Sequence, residues 1–299
     1  MTRPYLQVLI IFAALMASLP AVSQTRIDCG AINSKVLKRP VRYCVYLPES
    51  YDAGAQKHPQ SHYPVLYFLH GLGGNEQQLF DNGGWTLLDD LWKRHKIGEF
   101  LIAAPDGART FYINSADEKV RYSNFFLQEF IPYIETKYRA AKGRSSRAIS
   151  GVSMGGYGAL HFSFSHPELF SAVSAQSPAL ITESPKEIDE SIRAGAPLAK
   201  VLADVFGSPI NVRHWRENDP LVLARKNAEL LRKLAIYFNC GQEDNYGFEK
   251  GTAVLDKELQ EEGVKHEYRS YPGDHSLEYF LAHFDEVIEF HSRAFGLNP

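Results

Sequence analysis

Strand-like and helix-like stretches alternate along this chain, and that alternation predicts an α/β protein with a mostly parallel sheet flanked by helices. Two observations carry the expectation. Apolar runs rich in β-branched and aromatic residues recur, closed by Gly, Pro or Asp, and several are separated by stretches with apolar residues at helical spacing. Strands are expected at 41–48 (VRYCVYLP), 63–70, 99–105, 147–153, 170–177, 234–240 and 265–272. Helices are expected in NFFLQEFIPYIETKY, where Phe126, Phe130, Ile131 and Ile134 share a face, in PLVLARKNAELLRKL, and in the final LEYFLAHFDEVIEFHSRAF. Open sheets of this kind bind ligands outside the carboxyl ends of their strands, so the loops following these runs are where chemistry is sought.

The first 23 residues carry a lone Arg3, an apolar run from about Leu6 to Leu19, and the small residues Ala21 and Ser23 at cleavage-site spacing. They read as a secretory signal peptide, too short to span a bilayer as an anchor. Cys29 follows Thr-Arg-Ile-Asp, without the small and apolar residues of a lipoprotein signal. Residues 24–299 are expected to form a single domain with no stable membrane insertion, and removal of Arg3 takes the formal charge from -3 to -4. A slightly acidic chain without a Lys/Arg stripe is a poor partner for nucleic acid. The signal peptide makes the expected location secreted or periplasmic.

Three cysteines are present. Cys29 and Cys44 flank AINSKVLKRPVRY, which reads as two short strands able to lie antiparallel, and in an oxidising compartment they are expected to pair as a disulfide. Cys240 is then left as a buried filler at a strand end.

The stretch RAISGVSMGGYGALHFSFS runs from strand-like to helix-like through Gly151-Val152-Ser153-Met154-Gly155, a match to G-x-S-x-G. Alone the motif is weak; a strand before it and a helix after it make Ser153 a nucleophile on a tight turn. Small residues at 151 and 155 suit that turn, and the Met154 amide would sit at a helix N-terminus, where it can stabilise an oxyanion. A second amide is expected from the loop of His70-Gly71-Leu72-Gly73-Gly74, with Leu72 the natural donor and His70 holding the loop by hydrogen bonds. The acid is sought after the strand LAIYFNC: Asp244 is preferred, with Glu243 in reserve. Asp106 precedes the nucleophile and suits a turn, and Asp274 is poorly placed to orient its own neighbour. His275 alone among the histidines follows the last strand on a loop; His161, His283 and His291 fall in helices and His266 in a strand. The chain order Ser153, Asp244, His275 is that of an α/β hydrolase.

Trp85, Tyr112, Trp215 and Tyr246 are aromatic candidates for an acyl or alcohol pocket. His58 and His62 lie four apart in a proline-containing loop without further ligands nearby, so neither a metal nor a cofactor is expected.

HGLGG, the APDG strand end, FLQEFIPYIETKYR, GVSMGGYGAL, CGQEDNY and PGDHSLEYF, in this order, resemble the esterase D-like family of α/β hydrolases. Feruloyl and acetyl xylan esterases, S-formylglutathione hydrolases and mycolyl transferases share this framework. The resemblance covers most of the chain and implies an α/β-hydrolase fold with Ser153, Asp244 and His275 as triad and Leu72 and Met154 as oxyanion amides. It implies a serine carboxylesterase acting through an acyl-enzyme on small-molecule or carbohydrate esters, feruloyl esters among them. Export argues against S-formylglutathione hydrolysis. The alternatives are an acyltransferase using the same triad, or a silent binding protein on a hydrolase scaffold; a peptidase would want a gating domain. Residues 177–220 match no family signature and stand where a lid-like insertion is expected.

Overall fold

The computed structural model describes residues 25–52 and 62–297. The signal-peptide reading and His58 lie outside them. Eight strands form one sheet in the order β1-β2-β4-β3-β5-β6-β7-β8. They are β1 (Arg26–Ser34), β2 (Arg39–Leu47), β3 (Val65–Leu69), β4 (Leu101–Pro105), β5 (Arg147–Val152), β6 (Ala172–Gln176), β7 (Ala235–Gly241) and β8 (Glu267–Tyr271). β1 and β2 are antiparallel to their neighbours, and from β4 to β8 every pairing is parallel. All seven expected strands are present, and β1 is the strand that the Cys29 to Cys44 spacing anticipated.

β3 shows why the runs are continuously apolar. Val65, Tyr67 and Leu69 pack into one core cluster, while Leu66 and Phe68 pack into another. Adjacent side chains point to opposite faces of the sheet, and both faces are covered. On the first face, Phe126 stacks on Phe162 with ring centroids 4.4 Å apart. Phe162 belongs to α3 (Met154–Ser165), which is buried along almost its whole length. On the other face lie α1 (Trp85–Lys93) and the last helices, through Leu88, Phe284, Val287 and Ile288. Each such fully buried side chain contributes about 1.5–3 kcal/mol relative to exposure. Between these helices in sequence stands α2 (Ile131–Lys137), which carries Ile131 and Ile134 into the first cluster.

Cys29 and Cys44 stand opposite each other in the β1–β2 register and are joined by a disulfide. Cys240 is a buried free thiol in β7. Residues 177–220 fold as α4 (Pro185–Arg193), α5 (Pro197–Phe206) and α6 (Val212–Asn218), followed by α7 (Pro220–Lys226). After β7 comes α8 (Phe248–Glu261). The expected final helix is two, α9 (Leu277–Ala282) and α10 (Phe284–Ala294). They divide at His283, whose φ of -117° and ψ of 13° leave the helical region.

Candidate active site

Ser153 follows β5 directly and precedes the first residue of α3. Its backbone holds φ 56° and ψ -118°, a conformation that is costly for a residue bearing a Cβ. The surroundings over-determine it. The Ser153 amide donates to the Gln176 carbonyl at 2.9 Å, and its own carbonyl accepts from the Tyr157 and Ala179 amides, both at 3.0 Å. The flanking glycines are demanded by close backbone approach. A Cβ on Gly151 would stand 2.2 Å from the Gly155 carbonyl oxygen, and one on Gly155 would stand 2.0 Å from that of Leu69. The turn thus packs β5, α3 and the end of β3 too tightly for any other residue.

The hydroxyl lies against an imidazole: Ser153 Oγ is 2.9 Å from His275 Nε2. On the far side of the ring, Nδ1 is 2.7 Å from Asp244 Oδ2. Since ionised Asp244 can only accept, Nδ1 carries the proton and Nε2 is left bare to accept from the serine. Asp244 sits just beyond β7 in the loop leading to α8, and its other oxygen accepts the Tyr246 amide at 2.9 Å. Burial pushes its carboxyl up, but the His275 hydrogen bond and charge, with the Tyr246 and Phe248 amides, outweigh that and hold it below the usual carboxylate range. Edge-on contacts from Tyr246 (4.9 Å), Phe280 (5.2 Å) and Phe248 (5.4 Å) fix the plane of the imidazole.

The loop after β3 comes from the opposite side. His70 Nδ1 lies 2.8 Å from the Gly71 carbonyl, and His70 Nε2 accepts the Gly107 amide at 2.8 Å. Both ring nitrogens are engaged within loops, so this histidine braces the turn, as the sequence suggested. Gly71 donates to Gln78 Oε1 at 2.9 Å, and Gly74 closes back on the Gly71 carbonyl at 3.1 Å. Among the described residues, neither the Leu72 nor the Met154 amide donates to a turn or loop carbonyl. Both residues line the cavity at Ser153.

That cavity holds about 150 Å³ and is walled by Phe111, Leu198, Tyr246, Phe248 and Phe280 beside Ser153 and His275. Of the four aromatic candidates, only Tyr246 lines it. Trp85 packs edge-on to Tyr46 at 5.6 Å on the opposite face of the sheet. Tyr112 is fully buried and donates its hydroxyl to the His70 carbonyl at 3.0 Å, while Trp215 packs on Phe206 at 4.5 Å within the helical layer. Phe111, Phe248 and Phe280 escaped the sequence reading. Phe111 follows the carboxyl end of β4, and Phe248 and Phe280 lie four and five residues beyond Asp244 and His275, so the sheet rule itself could have pointed to them.

The other acids and histidines stand apart. Glu243 is exposed, with its amide on the Gly273 carbonyl at 3.0 Å. Asp274 is exposed, and Asp106 accepts the Ala108 amide at 2.9 Å within its turn. His266 pairs with Asp256 at 2.8 Å, and His283 stacks on Tyr271 at 3.9 Å.

Residues 34–291 match the family described as "Putative esterase". An acetyl esterase of Caldicellulosiruptor saccharolyticus is 26% identical over 263 residues, covering 87% of this chain and 96% of the relative. A solved ferulic acid esterase superposes with a TM-score of 0.76 at 27% identity, covering 91% of this chain and 99% of that one. An S-formylglutathione hydrolase from Agrobacterium tumefaciens shares the fold with a TM-score of 0.72 at 21% identity over 93% and 98% of the two chains. The chain belongs to this esterase family and is a serine ester hydrolase of the α/β-hydrolase fold.

Proposed function

We propose that this protein is an exported carboxylesterase in which Ser153 is the nucleophile, His275 the general base and acid, and Asp244 the group that orients the imidazole. The observation that carries the reading is the unbroken chain of hydrogen bonds from Ser153 Oγ through His275 to Asp244 at the floor of an apolar cavity. A serine hydroxyl is a weak nucleophile until a neighbouring base takes its proton. Ser153 Oγ attacks the ester carbonyl as its proton passes to His275 Nε2, and the carbonyl π electrons move onto oxygen. The tetrahedral oxyanion faces the Leu72 and Met154 amides, and loss of one such donor costs about 3 kcal/mol in comparable sites. Collapse breaks the bond to the alcohol oxygen, which leaves with the proton from His275. Water then gives a proton to the same nitrogen, attacks the acyl-enzyme and releases the acid, regenerating the Ser153 hydroxyl.

The acetyl esterase relative and the ferulic acid esterase neighbour support an acyl ester substrate, and carbohydrate-linked acetyl or feruloyl esters suit an exported enzyme. The amino-terminal signal pattern and the Cys29–Cys44 disulfide support maturation in an oxidising compartment, with 24–299 as one catalytic domain. The deciding experiment is hydrolysis of short and medium acyl nitrophenyl esters, methyl ferulate and acetylated xylan by the mature protein and Ser153→Ala. Serine-dependent turnover is expected; equal turnover by the folded variant would remove Ser153 from the mechanism. Amino-terminal sequencing of exported protein is expected to begin near residue 24.

A further inference from the structure

Beside the cavity at Ser153 lies a second one of about 170 Å³, slightly larger than the first. It is walled by Leu180, Ile188, Leu198, Leu202, Tyr246 and Phe248, with exposed Glu183 and Ser191 also in its lining. Leu198, Tyr246 and Phe248 also line the first cavity, so the two spaces share a wall. Its far side is built by α4 and α5, within the stretch that no sequence motif explained. Tyr246 stands at the junction with 59% of its surface exposed and stacks on Phe248 at 5.5 Å.

We propose that the two cavities form one site, and that the outer one takes the distal end of an apolar acyl group longer than acetyl. The proposal rests on the esterase reading above and narrows its substrate class. A lining whose inner walls are leucine, isoleucine and aromatic side chains, continuous with a reaction centre, gains by covering hydrocarbon. The assignment to the acyl half follows from the order of bond changes. The acyl group stays on Ser153 Oγ through both half-reactions, whereas the alcohol must leave so that water can reach His275 Nε2. Only the retained half benefits from a walled space in both steps. The outer cavity also begins next to the nucleophile: Leu180 follows Ala179, whose amide holds the Ser153 carbonyl. On the other side, past Gln78, Val152 and Phe280, the neighbouring cavity holds only about 30 Å³, against about 150 Å³ at Ser153.

The test is kcat/KM across nitrophenyl esters from acetyl to octanoyl, beside acetyl esters of alcohols from methyl to octyl. The expected result is a rise approaching fourfold per methylene in the acyl series once the first cavity is filled, and a flat alcohol series. Ser191→Trp is placed on exposed α4 where residue 191 lines the outer cavity. It is expected to lower the octanoyl-to-acetyl ratio at least tenfold. Inhibition by alkylboronic acids of increasing length should give the same ranking in each protein. A flat acyl series, a gain confined to the alcohol series, or an unchanged ratio in folded Ser191→Trp would overturn the proposal. Absence of Ser153-dependent turnover even on acetyl esters would instead overturn the reading beneath it.

Discussion

Among the described residues two serine–histidine hydrogen bonds occur, and one of them stands at a cavity. Ser153 Oγ lies 2.9 Å from His275 Nε2, and Ser174 Oγ lies 2.7 Å from His291 Nε2 in the core between β6 and α10. The proposed nucleophile belongs to the longer pair. Ser174 donates to Ser150 Oγ at 2.8 Å, so its oxygen must accept from the His291 ring, leaving His291 Nδ1 bare and unpartnered. With no carboxylate beside it, burial alone pushes the His291 imidazole down to about 3. At the other pair, Asp244 holds the proton on Nδ1, so the bare nitrogen faces the serine. In the proposed mechanism the third residue, the open strand end and the neighbouring amides set Ser153 apart from Ser174, and close approach of serine to histidine is not enough.

The largest effects should come from breaking the reactive pair. Ser153→Ala and His275→Ala are expected to lower kcat on the order of 10⁶-fold with folding intact, as measured by ester hydrolysis and thermal melting. Asp244→Asn should lose about 10⁴-fold, because an amide donor at this position favours the wrong tautomer. Damage from Glu243→Gln of that size would move the acid to the neighbouring residue. Ser174→Ala is the matching change at the buried pair. It should leave kcat/KM unaltered and cost about 1–3 kcal/mol in urea unfolding, since a buried ring N–H loses its acceptor.

Acid sensitivity sharpens the same contrast. His291 and His161, the latter pushed down to about 4 by burial, both titrate lower in the folded protein than in the unfolded chain. Between about pH 6.5 and 4 the unfolded chain therefore binds more protons, and stability falls as pH drops. Asp219, pushed up to about 6 by burial, binds its proton sooner in the folded state and offsets one histidine below that value. Together these three groups should contribute a loss approaching ~1.4 kcal/mol per pH unit between pH 6 and 4, to which the depressed Asp106, Asp244 and Glu286 carboxyls add toward pH 4. Asp219→Asn keeps an α7 cap and removes the offset, so the slope of urea stability against pH should steepen by up to ~1.4 kcal/mol per pH unit below pH 6. An unchanged slope would place these groups outside the acid transition.

The three residues that meet in the hydrogen-bonded chain were legible because each follows a strand whose apolar run is unmistakable, and a parallel sheet gathers those ends along one edge. Ser153 after β5, Asp244 after β7 and His275 after β8 meet for that reason. The pocket was less legible, because an aromatic side chain can serve core or cavity and only tertiary packing decides. Trp85 and Tyr112 look like binding residues in sequence, yet one covers Tyr46 and the other braces the His70 carbonyl. Leu198 carries no signal at all: it reaches the cavity because α5 folds over the sheet edge. The division of the last helix at His283 was hidden for a related reason, since the apolar spacing continues through it.

The most direct test of the central claim is reaction of the mature protein with an active-site-directed phosphonate ester, followed by intact-mass and peptide mass spectrometry. One phosphonyl group per chain on Ser153 is expected, with labelling abolished in Ser153→Ala, sharply slowed in His275→Ala and unaffected in Ser174→Ala. Stoichiometric labelling of another serine, or continued ester turnover by Ser153→Ala, would contradict the account.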